Sequence, residues 1–473
     1  MVSTTSLLAA AIAVTAVHAK ITAKLTRAIE AGNTPDVVIV EFNSIDAALE
    51  KADVHIEKVQ TRSEKIQTVL GALQDHAKTD QAAALDVITK SQSAEELNDG
   101  FSYESYAISN IIALNKPSAA LLEKLKTVAN VKSIRHQYMG RIPKIVEVSQ
   151  VEDVSPPTNP EWGVSKIAAP SLWAQNFTGQ GVVVGSIDTG ALYTHEAIKG
   201  NWRSENGYFQ PAGGSQFPVD GNGHGTHTIG TVAGQTGTGV APNAKWISCE
   251  GCLPDGSCPE KGLVACAQFM LCPHDWQGKN PKCELAPHIV TNSWADDNEI
   301  PDVPYYKGPV AAWRKAGIIP VFANANNGPG CGTVLSPGDY NNVIGVGATN
   351  STDGLASFSS RGPGPNNLLK PDVSAPGQRI RSAYTTSNTS YASLSGTSMA
   401  TPHVAGAIAL LVSARPGITY DEVYAALTKT AETKNLTSTN QTCGGLDDSK
   451  YPNNNYGYGR INVFLASQSR PAC

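Results

Sequence analysis

The sequence has 473 residues, of which 41% are hydrophobic and 16% are charged, and its formal net charge is −5 at pH 7. This composition excludes an intrinsically disordered chain, which would carry more charge and fewer apolar residues. The absence of any run rich in lysine or arginine argues against a nucleic-acid partner. The length is enough for two or three domains.

The first predicted element is the apolar run Leu7–Val17, which leads into the small-x-small sequence Val17-His18-Ala19. The run is shorter than the ~20 apolar residues that cross a bilayer. It has the form of a secretory signal peptide, although no Lys or Arg precedes it. We therefore predict a signal peptide at residues 1–19 and a secreted, extracellular protein without a membrane partner. A buried N-terminal helix is the alternative.

Residues 20–150 contain no cysteine and predict a small α+β domain. Its predicted elements are a strand at Pro35–Phe42, a helix from Ser63 to about Lys90, a strand at Tyr106–Leu114, a helix after Ser118 and a strand beginning at Val131. Ser118 can cap the helix that follows it. The polar, proline-containing stretch Val146–Pro160 predicts an exposed linker, where proteases cut most readily.

From about Glu161 short apolar strands alternate with helices. The predicted strands are Gly181–Ile187, Pro287–Val290, Gly317–Phe322 and Val343–Gly347, and the predicted helices are Leu263–Leu271 and Gly308–Lys315. This alternation predicts a mostly parallel sheet covered by helices on both faces. Ligands of such sheets bind at the carboxyl ends of the strands.

All nine cysteines lie at or beyond Cys249. In an oxidising compartment most of them would form disulfides, whose pairing the spacing does not define. Cys249 and Cys252 are close enough to begin a zinc site, but no second pair has that spacing. The same region carries five acceptor sequences for N-glycosylation, which predict a glycoprotein if the host glycosylates. They begin at Asn176, Asn350, Asn388, Asn435 and Asn440.

Three motifs contain candidate catalytic residues. The first is Ser186-Ile-Asp-Thr-Gly, in which Asp188 ends a predicted buried strand. A carboxylate in that place can accept a hydrogen bond from an imidazole. The second is Asn222-Gly-His-Gly-Thr-His, in which His224 is framed by glycines. A neutral imidazole is the natural general base near pH 7, whereas we predict a structural role for His227.

The third motif, Leu394-Ser-Gly-Thr-Ser-Met-Ala-Thr-Pro, contains Ser398 and precedes an apolar run. Because proline is tolerated in the first turn of a helix, Pro402 predicts a helix that begins close to Ser398. The free N–H groups of that helix would point at the serine hydroxyl. A helix-capping serine without catalytic function is the alternative, and His403 is predicted to be packed in the helix.

In the order Asp, His, Ser, these motifs resemble the three signatures of the subtilase family of serine proteases. The resemblance covers about Trp162–Leu465, and the connecting segments are most similar to the bacillopeptidase F-like branch. These segments are Gly239–Pro242, Thr291–Trp294, Phe358–Pro363 and Lys370–Gly377. The resemblance implies an α/β, subtilisin-like three-layer fold with a mostly parallel central sheet at residues 151–473. It also implies an inhibitory propeptide domain at residues 20–150.

The resemblance implies a secreted serine endopeptidase that is made as an autoprocessed zymogen. Asp188 would orient His224, which would take the proton from Ser398 as that residue forms an acyl-enzyme. Asn326 would be an oxyanion donor, although Ala325 stands where the family usually has glycine.

The resemblance also implies a substrate site, in which a peptide would bind as an added strand. The implied substrate-binding residues are Gly256, Ser257, Ser293, Trp294, Ala295 and Leu335. Leu335 would line the primary pocket, and Ala295 replaces a usual glycine. The partners would be protein or peptide substrates and the chain's own propeptide, and the enzyme would be a monomer.

No cofactor is implied. The family's main calcium site is expected to be absent, because the loop Gly234–Val240 is shortened and Ala197 stands in the place of an acidic ligand. A different calcium site is left open, since hard oxygen ligands leave little trace in a sequence.

Two other functions are compatible with parts of the sequence. A processing protease selective for basic sites would use Asp296 and Asp297 as acidic pockets, but too few residues follow the Ser398 helix for an additional β-rich domain. A catalytically silent binding protein or inhibitor would use residues 20–150 as its functional part. The intact set of Asp188, His224 and Ser398 argues against that second alternative.

Overall fold

The structure is a computed structural model that describes residues 20–94, 97–148, 159–296 and 301–469. The predicted signal peptide, most of the predicted linker, Asp297 and Cys473 lie outside the described residues. The chain divides into two compact units. The first consists of Met1–Asn43, Gln81–Glu104 and Ile112–His136, and the second of Ser44–Asp80, Ser105–Ile111 and Gln137–Cys473. The predicted domain boundary at residue 150 stays a prediction.

The described helices are α1 Ala23–Glu30, α2 Asp46–Ile56, α3 Arg62–Ser93, α4 Ala119–Lys126, α5 Trp162–Lys166, α6 Ala169–Trp173, α7 His224–Ala233, α8 Glu260–Leu271, α9 Lys307–Ala316, α10 Thr397–Ala414, α11 Tyr420–Lys429 and α12 Val463–Gln468. The described strands are β1 Val37–Glu41, β2 Ser102–Tyr106, β3 Ile111–Asn115, β4 Ser133–His136, β5 Met139–Arg141, β6 Glu147–Val148, β7 Val183–Asp188, β8 Tyr208–Phe209, β9 Lys245–Glu250, β10 Ser257–Pro259, β11 Ile289–Asn292, β12 Ala295–Asp296, β13 Ile319–Ala323, β14 Ile344–Thr349, β15 Val373–Pro376, β16 Ile380–Ala383, β17 Tyr391–Ser395, β18 Thr442–Cys443 and β19 Leu446–Asp447.

The first unit is built on a four-stranded sheet in the order β2-β3-β1-β4. Apolar residues of the strands pack with Leu25 of α1 and the buried leucines of α4 in one core. Ser118 caps α4 as predicted, since its hydroxyl accepts the N–H of Leu121 at 3.2 Å. The predicted strand Tyr106–Leu114 is wrong in extent: a turn divides it into β2 and β3, and Asn110 has a positive φ of 49°.

The second unit contains a seven-stranded sheet in the order β15-β14-β13-β11-β7-β9-β8. Every neighbouring pair in it is parallel. Strands β11, β13 and β14 are buried along their whole length. Continuously buried strands are typical of a parallel sheet with both faces covered, so the predicted parallel sheet is confirmed.

Helices cover the two faces of this sheet in separate layers. Val321 of β13 packs in one core with residues of α7 and α10. The next residue, Phe322, points to the opposite face because side chains alternate along a strand. There it packs with Trp294 and with Tyr306, just before α9, at ring-centroid distances of 5.6 and 6.1 Å. The second unit therefore has the three-layer α/β architecture expected of a subtilisin-like fold.

One described helix, α10, is long and apolar enough to cross a membrane, and 89% of it is buried inside the fold. Its apolar residues pack against strands and helices on all sides in the main core, which accounts for a helix without a polar face. Among the described residues, α10 is the centre of the second unit's core.

Four disulfides link eight of the nine cysteines: Cys249–Cys266, Cys252–Cys258, Cys272–Cys283 and Cys331–Cys443. The expectation of disulfides is thus confirmed. The alternative of a zinc site beginning at Cys249 and Cys252 is wrong, because each of these cysteines is paired with another partner.

Candidate active site

The strand β7 and the helix α7 bring Asp188 and His224 together. Asp188 is the last residue of β7 and His224 the first of α7, and both side chains are almost fully buried. Nδ1 of His224 lies 2.7 Å from Oδ1 of Asp188. The same oxygen accepts the N–H of Thr189 at 2.8 Å. A carboxylate held in this way fixes the imidazole in one orientation and leaves Nε2 as its second functional atom.

The glycines beside His224 are required by the backbone. Gly223 has a φ of +100°, and a Cβ there would lie 2.7 Å from the ring of Tyr384. A Cβ on Gly225 would lie 2.1 Å from the carbonyl oxygen of Gly190, so only glycine fits in that place. The two glycines therefore allow α7 to begin directly at His224.

Asp220 organises the turn before α7 and was missed in the sequence. Its carboxylate accepts the N–H groups of Asn222, Gly223 and Thr226 at 2.8 to 3.0 Å. It also accepts the hydroxyl of Thr189, next to Asp188, at 2.9 Å. Asp followed by Gly-Asn-Gly is a turn signal that could have found it. Asp220 thus connects the segments that carry Asp188 and His224.

Helix α10 presents Ser398 in its first turn, as predicted, but Pro402 is not in that turn. Pro402 is the sixth residue of the helix, where it has no N–H to bond the carbonyl of Ser398. The hydroxyl of Ser293 donates to that carbonyl at 3.0 Å. The predicted position of Pro402 is therefore wrong, and Ser293 compensates for the hydrogen bond that proline removes.

The hydroxyl of Ser398 donates to the carbonyl of Ser293 at 3.2 Å. Nε2 of His224 is buried and has no hydrogen-bond partner among the described residues. Because a hydroxyl has one hydrogen to donate, transfer of that proton to His224 would require the bond to Ser293 to break. The arrangement thus contains a buried hydroxyl and a buried imidazole nitrogen that is open to accept a proton.

Two other histidines are buried near these elements. Nε2 of His227 lies 2.9 Å from the carbonyl of Ile380, and Nδ1 of His403 lies 2.8 Å from that of Met399. Burial lowers the pKa of His227 to about 3 and that of His403 to about 4. Both contact main-chain carbonyls inside the core, which agrees with the structural roles predicted for them.

Asn326 is held by the acceptor end of its amide. Its Oδ1 accepts the N–H and the hydroxyl of Thr397, each at 2.8 Å. Nδ2 is thereby turned to the opposite side, where it donates to the carbonyl of Lys144 at 3.1 Å. The N–H of Ser398 lies in the first turn of α10, where helical N–H groups have no acceptor within the helix. Both groups can donate to an oxyanion at this place.

Ala325 has a φ of 76°, in the left-handed region. This explains why glycine is the family's usual residue here, since a Cβ makes the conformation unfavourable by roughly 1–2 kcal/mol. Ala325 packs with Ala295 and Leu335 in a small apolar cluster. Of these three residues, Leu335 is the one that the resemblance places in the primary pocket, and Ala295 belongs to a predicted substrate edge.

Five of the six predicted substrate-binding residues lie in or just before the strands β10 and β12, which we call the two substrate edges. A segment of the chain itself lies between these strands. β5 is the middle strand of an antiparallel three-stranded sheet between β10 and β12. Arg141 of β5 lies opposite Ser257 on one side and Ala295 on the other. Gly256 accepts the N–H of Ile142 at 2.8 Å. The two edges can therefore hold an extended peptide through main-chain hydrogen bonds.

The side chains of Trp294, predicted in a substrate edge, and of Asp296, predicted in an acidic pocket, are both buried. The ring of Trp294 is fully buried against Tyr306 and Phe322, so only its main chain is available at the edge. Asp296 is 2% exposed in β12, and Asp297 lies outside the described residues. In the described parts of the chain, no group of three or more His, Cys, Asp or Glu residues could hold a metal ion.

Comparison with known proteins agrees with this geometry. The Subtilase family matches residues 179–459, more than half of the chain. The chain is 33% identical to bacillopeptidase F of Bacillus subtilis over 409 residues, which cover 80% of this chain and 27% of that relative. It is 35% identical to subtilisin Savinase of Lederbergia lenta over 289 residues, or 60% of this chain and 95% of the relative. The chain thus spans about a quarter of bacillopeptidase F and nearly all of the subtilisin. This chain therefore belongs to the subtilase family of subtilisin-like serine endopeptidases.

Proposed function

We propose that the chain is a secreted endopeptidase that hydrolyses peptide bonds with Asp188, His224 and Ser398 as a catalytic triad. The observation that carries the proposal is the 2.7 Å pairing of His224 with Asp188, with Nε2 of the imidazole left open among the described residues. Asn326 supports it, because its Nδ2 donates to the carbonyl of Lys144 while Thr397, the neighbour of Ser398, holds the amide oxygen.

In the proposed reaction, Ser398 attacks the carbonyl carbon of a peptide bond while His224 takes its proton. Asp188 stabilises the charged imidazole, and Asn326 and the N–H of Ser398 stabilise the negative oxygen. His224 then gives the proton to the leaving amine, which leaves an ester on Ser398. Water hydrolyses that ester by the same steps in reverse order.

We further propose that the chain is made as a zymogen whose N-terminal part inhibits it. The position of β5 between β10 and β12 supports this, because a segment of the chain itself occupies the edges where a peptide would pair. The four disulfides support secretion, since such bonds persist in oxidising compartments. We expect the processed enzyme to act as a monomer without a cofactor.

The experiment is hydrolysis of a denatured protein by the secreted, processed chain. We expect hydrolysis that is lost in Ser398→Ala, while the unfolding midpoint of the variant precursor matches that of the Asp188→Asn precursor. A folded wild-type chain that binds peptides but does not cleave them would identify it as a silent binding protein. In that case the proposed function is wrong.

A further inference from the structure

We propose that the chain first cleaves itself between Lys144 and Ile145, ahead of the boundary at residues 150 and 151 that the sequence predicts. The inference rests on the proposed function. It is carried by the contacts of the described segment Gln137–Val148. This segment pairs with β10 and β12 before that bond and with β17 after it.

The segment before the bond is held at several points. The N–H of Tyr138 donates to the carboxylate of Glu260 at 2.8 Å, and the N–H of Glu260 donates back to the carbonyl of Tyr138 at 3.0 Å. The ring of Tyr138 stacks on Tyr305 with the centroids 5.1 Å apart. β5 then pairs with β10 and β12, and Ile142 donates to Gly256. These contacts fix the direction and register of the chain as it approaches Ser398.

At the bond itself, the carbonyl of Lys144 accepts Nδ2 of Asn326 at 3.1 Å. Thr397 holds the other end of that amide, and Thr397 is next to Ser398 in α10. Among the described residues, the carbonyl that accepts from Nδ2 of Asn326 is that of Lys144. The carbon that would be attacked is therefore the carbonyl carbon of Lys144.

The segment after the bond pairs with the chain that leads into α10. The N–H of Val146 donates to the carbonyl of Ser395 at 3.1 Å. β6 then continues as an antiparallel neighbour of β17, with Glu147 opposite Ser395 and Val148 opposite Leu394. Because Ser395 is three residues before Ser398, this pairing places the leaving amine beside the helix that carries the nucleophile.

The proposed step balances as follows. Oγ of Ser398 forms a bond to the carbonyl carbon of Lys144, and its proton passes to Nε2 of His224. The bond to the nitrogen of Ile145 breaks, and that nitrogen takes the proton from His224. Water then hydrolyses the ester between Lys144 and Ser398, which leaves a carboxylate on Lys144 and a free amino terminus on Ile145.

The contacts on the two sides of this bond involve the main-chain carbonyl of Lys144 and the main-chain N–H of Val146. The side chain of Lys144 is exposed, so we infer that the main chain and not this side chain selects the bond. A preference for basic residues is therefore not needed to explain cleavage here. For the same reason, Lys144→Ala should leave the position of cleavage unchanged, whereas a change at the nitrogen of Ile145 should prevent it.

The test uses the full chain and measures the mass of the released N-terminal fragment at early times. That fragment reports the first cleavage even if the enzyme later trims its own new amino terminus. To slow the reaction, the measurement is repeated with Asn326→Ala. We expect a fragment that ends at position 144 both in the wild type and in Lys144→Ala.

Ile145→Pro turns the bond that is cleaved from a secondary into a tertiary amide. We expect this change to reduce formation of that fragment at least 100-fold. Val151→Pro, at the boundary predicted from the sequence, is the matched control and should be processed at the wild-type rate. Unfolding midpoints of both variants in the Ser398→Ala background show whether Ile145→Pro still folds.

Two results would overturn the inference in different ways. A fragment that ends at another residue, in a preparation that hydrolyses external protein, contradicts the Lys144–Ile145 bond and leaves the proposed function intact. No fragment and no hydrolysis by a folded wild-type chain contradicts both.

Discussion

At the scale of single residues, the amide of Asn326 shows how a side chain is prepared for one direction of hydrogen bonding. Two donors from Thr397 occupy its oxygen. The nitrogen must then face the cleft, since an exchange of the two atoms would place donors against donors. In the proposed reaction Asn326 would therefore act without reorganisation, which is what makes such donors effective.

Replacing Asn326 by leucine should lower kcat by ~10²–10³ while KM changes little, because the donor acts on charge that develops in the transition state. Steady-state kinetics on a peptide substrate would check this. As a control, Asn327→Leu changes the next residue along the chain and should leave kcat within a few-fold of the wild type. Equal losses in the two variants would mean that the loop, and not the donor, is affected.

Ala325→Gly should change the stability of the protein by less than about 1 kcal/mol, because its effects oppose one another. It removes strain of roughly 1–2 kcal/mol at a positive φ, but it adds about 0.4–1 kcal/mol of chain entropy to the unfolded state and removes a buried methyl group worth about 0.8 kcal/mol. Urea unfolding in the Ser398→Ala background measures the change. Ala323→Gly, in the buried strand β13, is the control and should be destabilising. An equal loss of stability in the two variants would contradict the strain at Ala325.

At the scale of elements, the short strand β10 is held in place by a disulfide and by main-chain hydrogen bonds of the loop before it. The disulfide Cys252–Cys258 closes the loop that contains Gly256 and Ser257. The carbonyl of Leu253 accepts the N–H of Gly256 at 2.9 Å, and the N–H of Leu253 donates to the carbonyl of Ser257 at 2.7 Å. A small closed loop of this kind holds the edge strand in a conformation ready to pair with a peptide.

Replacing both Cys252 and Cys258 by alanine should therefore raise KM for peptide substrates several-fold, with a smaller effect on kcat. The reason is that an unconstrained edge must be ordered each time a peptide binds. The matched control is the double alanine variant of Cys272 and Cys283, a disulfide outside the two substrate edges. If the two variants change KM equally, the first disulfide has no special effect on the edge.

Ser293 and Pro402 show that one element can satisfy a hydrogen bond which another element, distant in the sequence, cannot make by itself. Proline leaves a helical carbonyl without its usual partner, and a hydroxyl from the segment after β11 satisfies it. Since the satisfied carbonyl belongs to Ser398, the pair also fixes the helix turn that carries the proposed nucleophile.

At the scale of the whole molecule, buried histidines link stability to pH. Burial lowers the pKa of His227 to about 3 and that of His403 to about 4, whereas an unfolded histidine has a pKa of ~6.5. Between pH 6.5 and 4 the unfolded chain therefore binds more protons than the folded chain. Stability should fall as the pH decreases through this range, by about 1.4 kcal/mol per pH unit for each fully buried histidine.

Urea midpoints of the Ser398→Ala precursor at pH 6.5 and 4.5 would check this. In His403→Gln, the fall in stability between the two values should be smaller by about 2–3 kcal/mol. His55→Gln, which replaces an exposed histidine, is the control for the loss of a histidine outside the core. An unchanged pH dependence in the His403 variant would contradict the buried, neutral state of that residue.

The sequence predicts those parts of the molecule that depend on local signals. A buried run that ends in Asp188, a glycine pair around His224 and an apolar run after Ser398 define β7, α7 and α10 within two residues at the ends nearest these side chains. The turn at Asn110 was missed, because the apolar segments Tyr106–Ile108 and Ile111–Leu114 outweigh the polar pair Ser109-Asn110 between them and continue the pattern of a strand.

Contacts between distant segments were not predictable in this way. The position of Lys144 on Asn326 joins residues 182 positions apart, and no local pattern marks Lys144. The disulfide pairing likewise follows from the fold, since Cys249 pairs with Cys266 and not with its near neighbour Cys252. Such contacts become visible only when the fold has brought the distant segments together.

The central claim is that Ser398 is a nucleophile activated by His224. Labelling of the processed enzyme with a fluorophosphonate probe, followed by peptide mapping, tests it most directly. The account predicts one labelled site, Ser398, and at least a 100-fold slower labelling in a His224→Ala chain that has been processed by added wild-type enzyme. A folded, processed enzyme that takes up no label, or takes it up on another serine, would contradict the account.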